Sequence, residues 1–191
     1  IKNLLKSEIH EERIIGLLIL VDKYQNEQRE KEIFDFYINN MKFVNNWDLV
    51  DLSADKIVGE WFFERQNETK ILENFAKSEN LWKRRVAIVS TFAFIKNNEF
   101  EHTLKISEIL LNDKHDLIHK AVGWMLREVG KRKGEVLEEF LKKNYKKINR
   151  TTLRYAIERF DEKKRKSYLS GNFQNKIFTA PSRSQSKGRH G

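Results

Sequence analysis

The chain has 191 residues, of which 34% are charged and 39% hydrophobic, with a formal net charge of +9 and no cysteine. This length suffices for one domain with a substantial core, and there is no run of about 18 apolar residues that would cross a membrane. The absence of cysteine excludes a disulfide framework, a cysteine-based zinc site and a thiol nucleophile. Together with the lack of a visible secretory signal, it favours a cytoplasmic location.

The positive charge favours a polyanionic partner, most often nucleic acid. From Lys142 to Lys166, eleven lysines and arginines stand against three acidic residues. The alternative is a basic protein whose charge serves only its solubility. The arrangement of the cations along the predicted elements helps to decide between the two.

A repeat of predicted helices runs through the chain. Five segments share a helical pattern of apolar residues, and each has a small or slim residue at a corresponding place. The segments are EERIIGLLILVDKY (11–24), NNWDLVDLSADKIVG (45–59), LWKRRVAIVSTFAFIK (81–96), DLIHKAVGWMLREVG (116–130) and TTLRYAIERF (151–160), and the small residues are Gly16, Val50, Ala87, Gly123 and Ala156. Successive small residues are 34, 37, 36 and 33 positions apart.

Second helices fit between these segments, at EQREKEIFDFYINNM, ERQNETKILENFAKSE, FEHTLKISEILLND and KGEVLEEFLKKNYKK. An all-helical period of this length is typical of HEAT, armadillo or TPR repeats. The predicted fold is therefore an all-α, HEAT-like or ARM-type solenoid of stacked antiparallel helix pairs over residues 1–170. The repeat begins almost at Ile1, which suggests missing N-terminal helices, and residues 171–191 resemble a flexible basic tail.

The stretch VNNWDLVDLSADKIVG (44–59) places a carboxylate in an apolar stripe. Asn45 or Asn46 is the predicted helix cap, with Asp48 in the first turn. At about 100° per residue, the predicted buried stripe consists of Trp47, Val50, Ala54, Ile57 and Val58. Asp51 falls inside this stripe, where an unpaired carboxylate is costly.

The helix start LWKRRVAIVS (81–90) has Lys83, Arg84 and Arg85 in its first turn, where cations oppose the helix dipole. A bound anion such as phosphate would remove this conflict. The alternative is that these cations pair with Glu79 or Asp51.

In IHKAVGWMLREVGK (118–131) an aromatic residue lies on the predicted polar face. The predicted core stripe consists of Ile118, Ala121, Val122, Met125 and Val129. Trp124 lies on the opposite side, with Lys120, Arg127 and Lys131 around it. An aromatic ring among cations suits contact with nucleic acid, although a tryptophan packed on the next repeat gives the same pattern.

Two histidines before this helix, His115 and His119, have the i,i+4 spacing of metal ligands, but no third ligand follows at a suitable spacing. Asp113 or Asp116 is predicted to cap the helix instead. The sequence also has no glycine-rich phosphate loop and no paired-glycine fingerprint. We therefore predict neither a metal site nor a cofactor.

In INRTTLRYAIERF (148–160), Thr151 is the predicted cap, and Arg150 and Arg154 flank the helix start. Three basic helix starts in the register of the repeat predict one basic track on the concave face, suited to nucleic acid. Asp51 lies near this track. It either pairs structurally with Arg85 or stabilises positive charge on a substrate, such as the oxocarbenium ion formed when a glycosidic bond breaks.

Four segments in order resemble the DNA alkylation repair family, the AlkD-type DNA glycosylases with HEAT-like repeats. They are WDLVD (47–51), WKRRVAIVSTF (82–92), HDLIHKAVGWMLREVGK (115–131) and RTTLRYAIERF (150–160). The similarity covers about residues 10–170. Family members have more helix before the first repeat than this chain.

The resemblance implies removal of N3- or N7-alkylated purines from duplex DNA by a monofunctional glycosylase. It implies that Asp51 is the catalytic aspartate, that Trp47 and Trp124 are active-site tryptophans, and that Arg85 and Arg127 contact DNA. The basic track alone adds Arg84, Lys120, Lys131, Arg150 and Arg154 as predicted DNA-binding residues. The expected partner is damaged double-stranded DNA, bound by a cytoplasmic, nucleoid-associated monomer. The alternative is a DNA-binding or scaffold repeat protein without catalysis.

Overall fold

The computed structural model describes residues 1–27 and 29–173, and all regular structure in these ranges is helical. The chain forms two compact units, residues 1–159 and residues from 160 onward. The helices of the first unit are α1 (Lys2–Leu5), α2 (His10–Asn26), α3 (Glu30–Asn40), α4 (Trp47–Ala54), α5 (Glu60–Glu64), α6 (Lys70–Ala76), α7 (Leu81–Ser90), α8 (Phe92–Lys96), α9 (Glu101–Leu110), α10 (Asp116–Arg132), α11 (Gly134–Asn144) and α12 (Arg150–Ala156). The second unit contains α13 (Glu162–Ser170).

The first unit is a solenoid-like stack, as the repeat spacing predicted. The five repeat segments contain α2, α4, α7, α10 and α12, and each of these helices packs against the next one in that order. We call them the inner row. The second helices α3, α6, α9 and α11 pack beside this row, and the predicted alternation of helix pairs is confirmed.

The core lies between the two rows and is apolar. Val50, Ala54, Ile57 and Val58 are buried, as are all five residues of the stripe predicted in α10. Glycine permits the closest helix contacts. A Cβ at Gly59 would lie 2.4 Å from the carbonyl oxygen of Ser90, and a Cβ at Gly123 would lie 2.4 Å from Cβ of Tyr155.

Side-chain caps begin four helices of the inner row. Asn46, Asn80 and Asn149 accept backbone N–H bonds at the starts of α4, α7 and α12, and His115 Nδ1 does so for α10. The predicted caps Thr151, Asp113 and Asp116 were therefore wrong. Asn149, two residues before Thr151, accepts the backbone N–H of Thr151 at the start of α12, and Asp113 instead accepts from the His115 backbone N–H.

A π-helical turn at Asp55–Gly59 joins α4 to α5 in one continuous helix. The predicted buried stripe was wrong at Trp47, which is 51% exposed. Leu49 and Ser53 are fully buried, so the centre of the buried face is rotated toward them. Trp47 and Asp51 consequently lie at the edge of that face.

In the second unit, Asp161 caps α13 and Gly171 ends it in the left-handed conformation. Tyr168 stacks on Phe173 with ring centroids 4.4 Å apart. The predicted tail of residues 171–191 begins where α13 ends, but residues 174–191 lie outside the described ranges. No helix of the described residues is long and apolar enough to cross a membrane.

Candidate active site

An open cavity of about 400 Å³ lies along the inner row. Four successive helices of the inner row, α4, α7, α10 and α12, each contribute side chains to this cavity. The lining residues are Trp47, Asp51, Arg85, Leu117, Lys120, Trp124, Arg127 and Tyr155. The cavity thus brings together the three predicted catalytic residues and three of the predicted DNA-binding residues.

Asp51 and Arg85 form a two-pronged ion pair at this cavity. Arg85 Nε donates to Asp51 Oδ1 at 2.9 Å and Nη2 donates to Oδ2 at 2.7 Å. The third guanidinium nitrogen, Nη1, donates to the carbonyl oxygen of Leu117 at 2.5 Å. The pair joins α4 to α7 and α10, so the carboxylate is held in one orientation.

The environment of this pair is asymmetric. The Arg85 side chain is 6% exposed, whereas the Asp51 side chain is 19% exposed. All three guanidinium nitrogens of Arg85 bind protein oxygens. Contact of Arg85 with DNA stays a prediction. Burial raises the pKa of Asp51 above its ordinary value, and the hydrogen bonds and charge of Arg85 oppose this shift. Because both carboxylate oxygens accept N–H bonds, the geometry is that of the ionised form.

Aromatic side chains form much of the remaining cavity wall. Trp47 is the first residue of α4, one helical turn before Asp51, and its side chain is largely exposed to solvent. Trp124 is half-buried, and its ring lies 6.2 Å from that of Phe92. Sequence reasoning missed Tyr155 on α12. The available signal was its position directly before the small residue Ala156 in the repeat register.

Two cations at the cavity are paired with exposed carboxylates. Lys120 Nζ lies 2.7 Å from Asp116 Oδ2, and this hydrogen bond raises the pKa of Lys120. Arg127 donates to Glu158, which is 51% exposed, and its Nε also lies 3.5 Å from Oε1 of the buried Glu128. The exposed pairs with Asp116 and Glu158 contribute little to stability.

The other predicted DNA-binding residues lie outside the cavity. Arg84 binds Asp113 at 2.6 Å and the backbone carbonyls of Ser78 and Glu79, and Lys131 binds the buried carboxylate of Glu128 at 2.7 Å. Arg150 and Arg154 are exposed and form no ion pair with any residue in the described ranges. DNA contact by these four cations stays a prediction.

The histidines considered as metal ligands have other partners. His119 Nε2 donates to the carbonyl oxygen of Asp113 at 2.6 Å, while His115 caps α10. Within residues 1–27 and 29–173, no three His, Asp or Glu side chains come together as a metal site. Among the residues that line the cavity, Asp51 is the one carboxylate, beside aromatic rings and cations.

The fold and this cavity define a helical-repeat protein with an oriented carboxylate on its inner row. The chain belongs to the DNA alkylation repair enzyme family, whose model matches residues 1–160. A solved structure described as a predicted DNA alkylation repair enzyme from Enterococcus faecalis is similar over 84% of this chain and 74% of that one, with a TM-score of 0.70 and 22% identity. That likeness shows the fold, and a search of curated proteins found no match.

Proposed function

We propose that this protein is a DNA glycosylase that hydrolyses the N-glycosidic bond of N3- or N7-alkylated purines in duplex DNA, the first step of base excision repair. The observation that carries the proposal is the position of Asp51, held by Arg85 at a cavity that Trp47 and Trp124 also line. Membership of the DNA alkylation repair family supports the substrate class.

The chemistry fits a single carboxylate. Alkylation at N3 or N7 makes the purine cationic, so the base leaves with the bonding electron pair without strong protonation. The sugar becomes an oxocarbenium ion, which the Asp51 carboxylate stabilises. Water then attacks C1′ and loses a proton, leaving free base and an abasic site. One fixed charge directed at a developing charge contributes roughly 10²–10³ in rate.

The cavity walls suit the sugar and its phosphates. The π faces of Trp47 and Trp124 carry negative potential and so favour a cationic sugar between them. Lys120 and Arg127 exchange their carboxylate partners for DNA phosphates. Since the cavity is open, the proposal does not require the base to flip into a deep pocket.

The test is incubation of the purified chain with dimethyl-sulfate-treated duplex DNA in the presence of EDTA. Mass spectrometry of the soluble fraction should detect 7-methylguanine and 3-methyladenine, with matching abasic sites in the DNA. Unmethylated duplex is the control. Recovery of only the spontaneous amount of free base would contradict the proposal.

A second candidate is a DNA-binding repeat protein without catalysis. It is favoured by the fact that Arg85 already engages both oxygens of Asp51, which is what a purely structural pair requires. Such a protein would bind methylated duplex and leave its glycosidic bonds intact, so the same incubation separates the two candidates. A monomeric state and a cytoplasmic, nucleoid-associated location belong to the proposal as well.

A further inference from the structure

Tyr155 lines the cavity, and the proposed function assigns it no role. It lies on α12, is 36% exposed, and is one of three aromatic residues in the lining, together with Trp47 and Trp124. Within the described part of the chain, its phenol forms no hydrogen bond. A large aromatic side chain left open to solvent at a cavity is a surface available to a ligand.

The position of Tyr155 is fixed by a close helix contact. A Cβ at Gly123 would lie 2.4 Å from Cβ of Tyr155 and 2.7 Å from the carbonyl oxygen of Thr152. Only glycine allows α12 to approach α10 this closely. The Tyr155 side chain therefore begins against α10 at Gly123, the residue directly before Trp124. Lys120 of the same helix lines the same cavity.

A ring held in this way binds a sugar or base at little entropic cost. Tyrosine has two side-chain torsions, and the contact at Gly123 fixes where its side chain begins. Aromatic faces pack well on nucleotides without reading their sequence. Trp47 lies on α4, the helix that carries Asp51, whereas Trp124 and Tyr155 extend the aromatic surface of the cavity onto α10 and α12.

We propose that the ring of Tyr155 contacts the alkylated nucleotide and positions its sugar at Asp51. This inference rests on the proposed glycosylase function and adds a substrate-contacting residue to it. The ring, rather than the hydroxyl group, makes the contact, since the cations Lys120 and Arg127 already supply polar groups for the phosphates.

The experiment compares the parent chain with Tyr155→Leu and Tyr155→Phe. Leucine keeps an apolar side chain on Gly123 but removes the ring, and phenylalanine keeps the ring but removes the hydroxyl. We measure single-turnover release of 7-methylguanine at saturating protein, affinity for duplex containing a tetrahydrofuran abasic analogue, and the melting temperature of each variant. Rates are expressed per folded molecule, and Tyr155→Met replaces the leucine variant if the latter does not fold.

We expect the leucine variant to release base roughly tenfold more slowly or worse, with the phenylalanine variant restoring most of that loss. A purely structural role would change the melting temperature without this rescue of the rate per folded molecule. If the parent is active and the leucine variant releases base at the same rate, the inference about Tyr155 is overturned while the proposed function stands. A phenylalanine variant as slow as leucine overturns the assignment to the ring. A parent chain that releases no base overturns the proposed function and this inference with it.

Discussion

Replacement of Arg85 by methionine removes the partner of a carboxylate that has little access to water. The Arg85 side chain is 6% exposed and that of Asp51 is 19% exposed. Removal of one member of a buried pair costs about 3–5 kcal/mol. Because Asp51 keeps some contact with solvent, we expect the lower end, about 3 kcal/mol, with the lost donor to the Leu117 carbonyl included.

The assay is thermal unfolding followed by circular dichroism, with urea unfolding as a second measure. For a protein of this size, 1 kcal/mol shifts the melting temperature by about 2–4 °C, so Arg85→Met should melt about 6–12 °C below the parent. The double variant Asp51→Asn/Arg85→Met removes the unpaired charge as well and should recover part of the loss. This non-additivity is the signature of a coupled pair.

Two results would refute this reasoning about the pair. One is an Arg85→Met variant that melts within about 2 °C of the parent, which would mean that the pair contributes little. The other is a double variant whose loss equals the sum of the two single losses, which would mean that the two groups act independently.

Three further predictions concern packing, titration and DNA contact. Gly123→Ala should lower the free energy of unfolding by about 1–3 kcal/mol because the added Cβ would clash with α12. The control Gly134→Ala places its Cβ where nothing lies within 4 Å, and it should be neutral or stabilising; urea unfolding measures both variants. Burial raises the pKa of Asp51 above its ordinary 3.8, so a pH–rate profile should show base release falling as pH decreases toward that raised value. Because the pKa is raised, the carboxyl group of Asp51 binds its proton more tightly in the folded than in the unfolded state. The contribution of protonated Asp51 to stability is therefore lost as the pH rises from 3.8 through the raised pKa. Arg127→Gln should lower the slope of log affinity against log salt by about 0.9, and its control Glu158→Gln should strengthen DNA binding; an unchanged slope would remove Arg127 from the interface.

The inner row was predictable because its signal is local and periodic. Small residues recur every 33–37 positions, and each marks a helix that packs against the next. Apolar stripes such as that of α10 were correct because an amphipathic helix has only one face to bury. The family resemblance was confirmed over residues 1–160 for the same reason, since its segments coincide with this row.

Partner choice across repeats was less predictable because it depends on how far one helix is offset from the next. The cations at the start of α7 were predicted to bind an anion or to pair with Glu79 or Asp51. Arg85 does pair with Asp51, but Arg84 binds Asp113, 29 residues away, and does not line the cavity. Tyr155 was missed because its place at the cavity depends on how closely α12 packs against α10 at Gly123. Neither of these two contacts follows from the repeat spacing of the sequence.

The position of Asp51 was predicted in part. Its place on the inner row and its partner Arg85 were both among the alternatives drawn from the sequence. An isolated buried carboxylate would be more stable as asparagine, but Asp51 is paired with Arg85, so we expect Asp51→Asn to lose stability instead. In Asp51→Asn the amide oxygen still accepts one Arg85 hydrogen bond, while the amide nitrogen faces the other donor. Loss of stability in this variant therefore does not decide its catalytic role.

The most direct test of the catalytic assignment is single-turnover release of 7-methylguanine by Asp51→Asn, expressed per folded molecule and measured beside affinity for the same duplex. If the carboxylate stabilises the oxocarbenium ion, the rate should fall roughly 10²–10³-fold. DNA affinity should hold or improve, because a charge that repels phosphate is gone. A variant that melts early yet releases base at the parent rate per folded molecule would contradict the assignment of Asp51 as the catalytic residue.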